Sequence, residues 1–119
     1  MDDQDTISHV VAPINERNEF IRSLKNGRIL IVKAYADWCG PCKKISPLVD
    51  KLLNRMPNNV KMMYLDVDVG RDLANYLKIK SVPTFISYVN KEKMDILISS
   101  NEEDVRKFFR KVEAYSILK

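Results

Sequence analysis

The sequence predicts an α/β protein, a mixed β-sheet with helices packed on both faces and the element order βαβαβαββα. Three observations carry that prediction. Residues 28–36, RILIVKAYA, are apolar on both alternating faces, the pattern of a strand covered on its two sides. Segments with apolar residues at helical spacing alternate with such strands. Two further strand-like runs, TFISYV and MDILI, are joined by so short a connection that they must pair antiparallel.

Taken in order, a short strand is expected near Ser8 to Val11. A helix follows Pro13, with Phe20, Ile21 and Leu24 on one face and Asn26-Gly27 as its stop. The central strand is 28–36. Beyond it Ile45, Leu48, Val49 and Leu52 recur at helical spacing until Pro57, and Pro47 inside that helix should kink it. Residues 60–67 read as the next strand and residues 71–78 as a short helix. The two antiparallel strands come next, with a turn region at NKEK that lacks a glycine. The last segment has Val105, Phe108, Phe109 and Val112 on one face, and Ser100 with Glu103 reads as its capping box.

A chain of 119 residues with 45% hydrophobic residues is expected to form one domain, 1–119, around one core. There is no repeat and no linker-like run, with only three Gly and five Pro. The net charge of +4 is dispersed, which points to neither nucleic acid nor membrane as partner. Residues Lys43, Lys44, Lys78, Lys80, Lys91 and Lys93 are better read as a solvated surface than as a docking rim. The acidic start does not read as a secretory signal, and no apolar run approaches the roughly 18 residues of a membrane span. A cytoplasmic monomer is the expectation.

Both cysteines, Cys39 and Cys42, lie where the central strand gives way to a helix, with Pro41 at an early helical position. Residues three apart on a helical turn are close enough to form a disulfide. A free thiol is mostly protonated at neutral pH, so exchange chemistry needs activation, which the unpaired N–H groups and dipole of a helix start provide. Cys39, at the exposed helix end, is expected to be the nucleophile, and Cys42, inside the first turn, the resolving thiol. A structural zinc site needs four ligands, and this chain offers two cysteines and a distant His9.

WCGPC at Trp38 to Cys42, VPTF at Val82 to Phe85, Asp68 after the third strand and the helix-internal Pro47 together resemble the thioredoxin family over nearly the whole chain. The resemblance implies the thioredoxin fold and a protein-disulfide reductase. It implies a cis Val82-Pro83 bond facing the cysteines, a groove built from Trp38, Gly40, Pro41, Val82 and Pro83, and an Asp68 that orients Trp38. Ser99 stands where the family often has a groove-lining glycine. Substrates would be disulfide-containing proteins pairing with the backbone at Val82, and a thioredoxin reductase-like donor would restore the dithiol. Neither a metal nor an organic cofactor is required. Gly-Pro between the cysteines resembles the reducing branch; an oxidase or isomerase, or an interaction module without redox chemistry, are the alternatives.

One departure concerns Lys33, which interrupts the central strand where the family typically has a buried aspartate thought to accept the proton of the resolving cysteine. The family's frequent lysine partner to that aspartate aligns with Tyr64. Three readings of Lys33 are open: a side chain that snorkels to water, a cation that lowers the pKa values of the thiols, or a neutral amine acting as base.

Overall fold

The computed structural model describes residues 9–11, 13–26 and 28–117. Its elements run α1 (Arg17–Asn26), β1 (Ile29–Tyr35), α2 (Gly40–Asn54), β2 (Val60–Asp66), α3 (Arg71–Tyr76), β3 (Thr84–Val89), β4 (Glu92–Ile98) and α4 (Glu102–Ile117). The sheet order is β2-β1-β3-β4. Strands β1 and β2 are parallel, while β3 is antiparallel to both β1 and β4. It follows that the C-terminal ends of β1, β2 and β4 and the N-terminal end of β3 share one end of the sheet.

The two-sided apolar pattern of β1 sorts into two cores. Ile29 and Ile31 face α2 and α4, packing with Ile45, Val49, Phe85, Phe108 and Phe109. Leu30 and Val32 face the other way, toward Phe20 of α1 and Leu73 of α3, with Ile86 and Tyr88 of β3. Alternation therefore puts Lys33 on the α2 side, in register with Tyr64 of β2 and Phe85 of β3.

Several local expectations are corrected. The first strand is reduced to a single parallel bridge, Val10 to Met62, held by Val11 N–H to Met62 O at 2.9 Å and Met62 N–H to His9 O at 2.6 Å; Ser8, like the helix stop at Gly27, lies outside the described residues. Helix α1 begins at Arg17, four residues after Pro13. The β3–β4 turn is narrower than NKEK, because Asn90 and Lys91 both adopt positive φ, 51° and 74°, and pairing resumes at Glu92. The cap of α4 is Asn101 rather than Ser100: Asn101 Oδ1 accepts from Asp104 N–H at 3.1 Å. As expected, Pro47 lies inside helix α2, where its missing N–H leaves the Lys43 carbonyl without its usual partner.

Candidate active site

The site is built at the shared end of the sheet. Strand β1 stops at Tyr35, and Cys39 becomes the N-cap of α2 with an extended backbone, φ −85° and ψ 101°. Its sulfur accepts the Cys42 N–H at 3.1 Å, so an orphan donor of the helix start is aimed at Cys39 Sγ. The two cysteines form a disulfide with Cα atoms 5.3 Å apart. Each is only 3% exposed, packed with Ala36 and covered by Tyr35, Val67 and Val82. The open position expected for Cys39 is thus corrected, because its sulfur turns inward to meet Cys42 beneath Val82 and Val67.

Trp38 stands 70% exposed beside the disulfide. Its indole N–H donates to Asp68 Oδ2 at 2.8 Å. Asp68 is presented by a turn that Asp66 closes, its Oδ1 accepting from the N–H groups of Asp68 at 2.9 Å and Val69 at 3.3 Å. Val82-Pro83 is cis, and Pro83 is buried at the head of β3. Trp38, Val67, Ile79, Ser81 and Val82 line a groove of about 400 Å³, with Lys80 at its margin. Gly40 and Pro41 are exposed at the helix entrance, and a Cβ at Gly40 would meet nothing within 4 Å.

Ser99 follows Ile98, which pairs with Thr84 just after Pro83. Its hydroxyl donates to Asp104 Oδ2 at 2.9 Å and accepts from Asn101 N–H at 2.9 Å. That hydroxyl serves the start of α4, so any contribution of Ser99 to the groove comes from its backbone and Cβ. Sequence reasoning missed Val67, Ile79 and Ser81 in the groove, as well as Asp66. For Asp66 the signal was present, an Asp two residues before a loop carboxylate.

Behind the disulfide lies Lys33, 3% exposed, so its ammonium does not snorkel to bulk water. Nζ donates to Ser46 Oγ at 2.9 Å, and Ser46 Oγ donates in turn to the Cys42 carbonyl at 2.9 Å. The Tyr64 ring lies 5.4 Å from Nζ, within range of a cation–π contact. Burial lowers the Lys33 pKa from its ordinary 10.5, while the Asp50 carboxylate pulls it back up. Burial, with help from Asp50, raises that of Tyr64. Lys33, Ser46, Tyr64 and Cys42 line one cleft of about 250 Å³, with Asp37 and Lys43 at its exposed margin.

Among the described residues no three His, Cys, Asp or Glu side chains are grouped to hold a metal, and no helix is long and apolar enough to cross a membrane.

Comparison with known proteins points one way. The Thioredoxin family model matches residues 10–111. A thioredoxin of Coprinus comatus is 36% identical over 77% of this chain and 88% of its own length. Mitochondrial thioredoxin 3 of Saccharomyces cerevisiae, in its oxidised form, superposes with a TM-score of 0.79 at 28% identity, covering 85% of this chain and 94% of that one. A thioredoxin mutant from Halobacterium salinarum shares the fold, with a TM-score of 0.80 at 23% identity over 96% of each chain. Members of this family act on disulfide substrates and are served by reductase partners. With the fold, the disulfide and these relatives in agreement, the chain belongs to the thioredoxin family and is a thiol-disulfide oxidoreductase.

Proposed function

We propose that the chain works in the reducing direction on protein disulfides, with Cys39 as nucleophile and Cys42 as resolving thiol. The observation that carries this assignment is the Cys42 N–H aimed at Cys39 Sγ from the start of α2. In the open dithiol the same donor and the helix dipole favour a thiolate at Cys39 over one at Cys42, which lies inside the helix. The Cys39 thiolate attacks one sulfur of the substrate disulfide; that bond breaks, and the other substrate sulfur leaves as a thiolate and takes a proton from water. Cys42, deprotonated, then attacks Cys39 Sγ, the mixed disulfide breaks, and the second substrate sulfur leaves. Two electrons pass to the substrate and the Cys39–Cys42 disulfide forms. A reductase of the thioredoxin reductase kind returns those electrons.

A protein substrate fits the surroundings. Exposed apolar side chains collect at the site end of the sheet, Trp38 at 70%, Val69 at 68% and Ile98 at 60%. The groove between Trp38 and Val82 suits an extended segment laid beside the backbone at Val82, with Gly40 and Pro41 leaving the helix entrance low. A cytoplasmic monomer agrees with this reading, and subcellular fractionation and sedimentation equilibrium test the two parts of it.

The experiment for the residue roles is a trap. Cys42→Ser should accumulate mixed disulfides between Cys39 and substrate proteins, released by dithiothreitol, whereas Cys39→Ser should accumulate none. Equal trapping by both variants would remove the assignment of roles.

A further inference from the structure

Lys33 takes no part in the exchange steps of Cys39 and Cys42, although it is a buried ammonium lining the same cleft as the resolving cysteine. We propose that the charge of Lys33 tunes the exchange equilibrium: it stabilises sulfur anions of the open dithiol and not the neutral disulfide, making this pair a weaker reductant than the same fold without that charge. The inference rests on the exchange function proposed above.

The geometry supports a held cation. Lys33 Nζ is fixed by Ser46 Oγ at 2.9 Å, and Ser46 is itself fixed by the Cys42 carbonyl at 2.9 Å, so the charge is tied to the turn that carries the resolving sulfur. Nζ also faces the Tyr64 ring at 5.4 Å, a partner that favours the protonated amine. Cys42 and Lys33 are walls of the same cleft of about 250 Å³. Water in that cleft would relay the field while weakening it.

The other charged and titratable groups around Lys33 do not cancel it. Asp50 of α2 is exposed, and Tyr64 O–H donates to its Oδ1 at 3.5 Å. Its field therefore reaches the sulfurs through water. Asp37, in the turn after β1, and Lys43 of α2 are both exposed at the cleft margin and oppose one another. Tyr35 of β1 is a neutral phenol whose pKa is raised by burial first, then by Asp66 and Asp37. Phe85, the register neighbour on β3, does not titrate. The buried, least screened charge is Lys33.

A definite pH dependence follows. At low pH both thiols hold their protons, so the ammonium has no anion to stabilise. The effect grows as the thiols ionise and fades as Lys33 loses its own proton. By reciprocity, reduction of the disulfide must raise the Lys33 pKa.

The test equilibrates the native chain and Lys33→Met with mixtures of reduced and oxidised glutathione over a range of pH, reading the dithiol fraction after acid quench. In this reaction two glutathione thiols are oxidised to one disulfide as Cys39–Cys42 is reduced. At its maximum, the native equilibrium constant should favour dithiol over that of Lys33→Met by about tenfold, or about 30 mV, in a bell-shaped difference against pH. Identical constants, a difference that is flat with pH, or a more oxidising methionine variant would each overturn the proposal. So would an unchanged equilibrium with slower resolution of mixed disulfide, which would make Lys33 a base. Should Lys33→Met fail to fold, NMR titration of the Lys33 side chain in the native chain decides instead. Its midpoint must be higher in the dithiol than in the disulfide form, and equal midpoints reject the idea. A chain that never interconverts with glutathione at any ratio would instead reject the exchange function itself.

Discussion

Replacing Asp68 by alanine removes the acceptor of the Trp38 indole N–H, a bond of 2.8 Å, and asks what that bond does for exchange. A net protein hydrogen bond contributes roughly 0.5–1.5 kcal/mol, more when the acceptor is charged. The indole is 70% exposed, so water takes over much of what the carboxylate supplied. A loss near the middle of that range, about 1 kcal/mol, corresponds to about a fivefold lower kcat/KM. The surrounding loop should survive the change, because its N–H groups at Asp68 and Val69 are held by Asp66 and not by the Asp68 side chain. Trp38 is the one tryptophan in the chain, so its emission reports directly on its own mobility. The assay pairs initial rates of disulfide reduction on a protein substrate with emission anisotropy. Asp68→Asn, which keeps an acceptor oxygen, should recover most of the rate. An Asp68→Ala protein with a loosened indole and an unchanged kcat/KM would refute the idea that holding Trp38 matters to exchange.

Two further outcomes concern stability. Burial, with a smaller contribution from Tyr76, pushes the Tyr88 phenol up to about 12 from its ordinary 10.0. The folded state thus holds that proton more tightly than the unfolded one, so the associated stability is complete below pH 10 and is lost as pH rises through about 12. At about pH 11 the native chain should have lost roughly 1 kcal/mol that Tyr88→Phe retains, measured by urea unfolding against a reference near pH 8; parallel stability curves for the two proteins would contradict the assignment. At the start of α4, Asn101→Ala should cost about 1 kcal/mol, a fall of about 4 °C in Tm, while Ser100→Ala should leave Tm nearly unchanged. The reverse order of effects in a calorimetric scan would return the cap to Ser100.

How much of this was legible in the sequence depends on the reach of each signal. Periodicity located β1, β2 and the core face of α4 because those patterns are local: Val105, Phe108, Phe109 and Val112 are all buried as their spacing requires. The cap of α4 was misjudged because Ser100 with Glu103 and Asn101 with Asp104 are equally good local solutions. The choice is made by where β4 ends, since Ser99 Oγ bridges Asn101 N–H and Asp104. At the site the cysteines and the helix entrance were readable, whereas the burial of Cys39 was not, for it is imposed by Val67 and Val82 from other elements. Lys33 shows the division most clearly. Alternation along RILIVKAYA already placed it on the face of Ile29 and Ile31, but its partners depend on the parallel register that sets Tyr64 beside it and on the helix turn that carries Ser46. Because α2 starts at the cysteines and runs back over β1, the segment that presents the sulfurs also covers the charge. Any substitution that moves α2 relative to β1 should therefore disturb thiol exchange and the Lys33 site together.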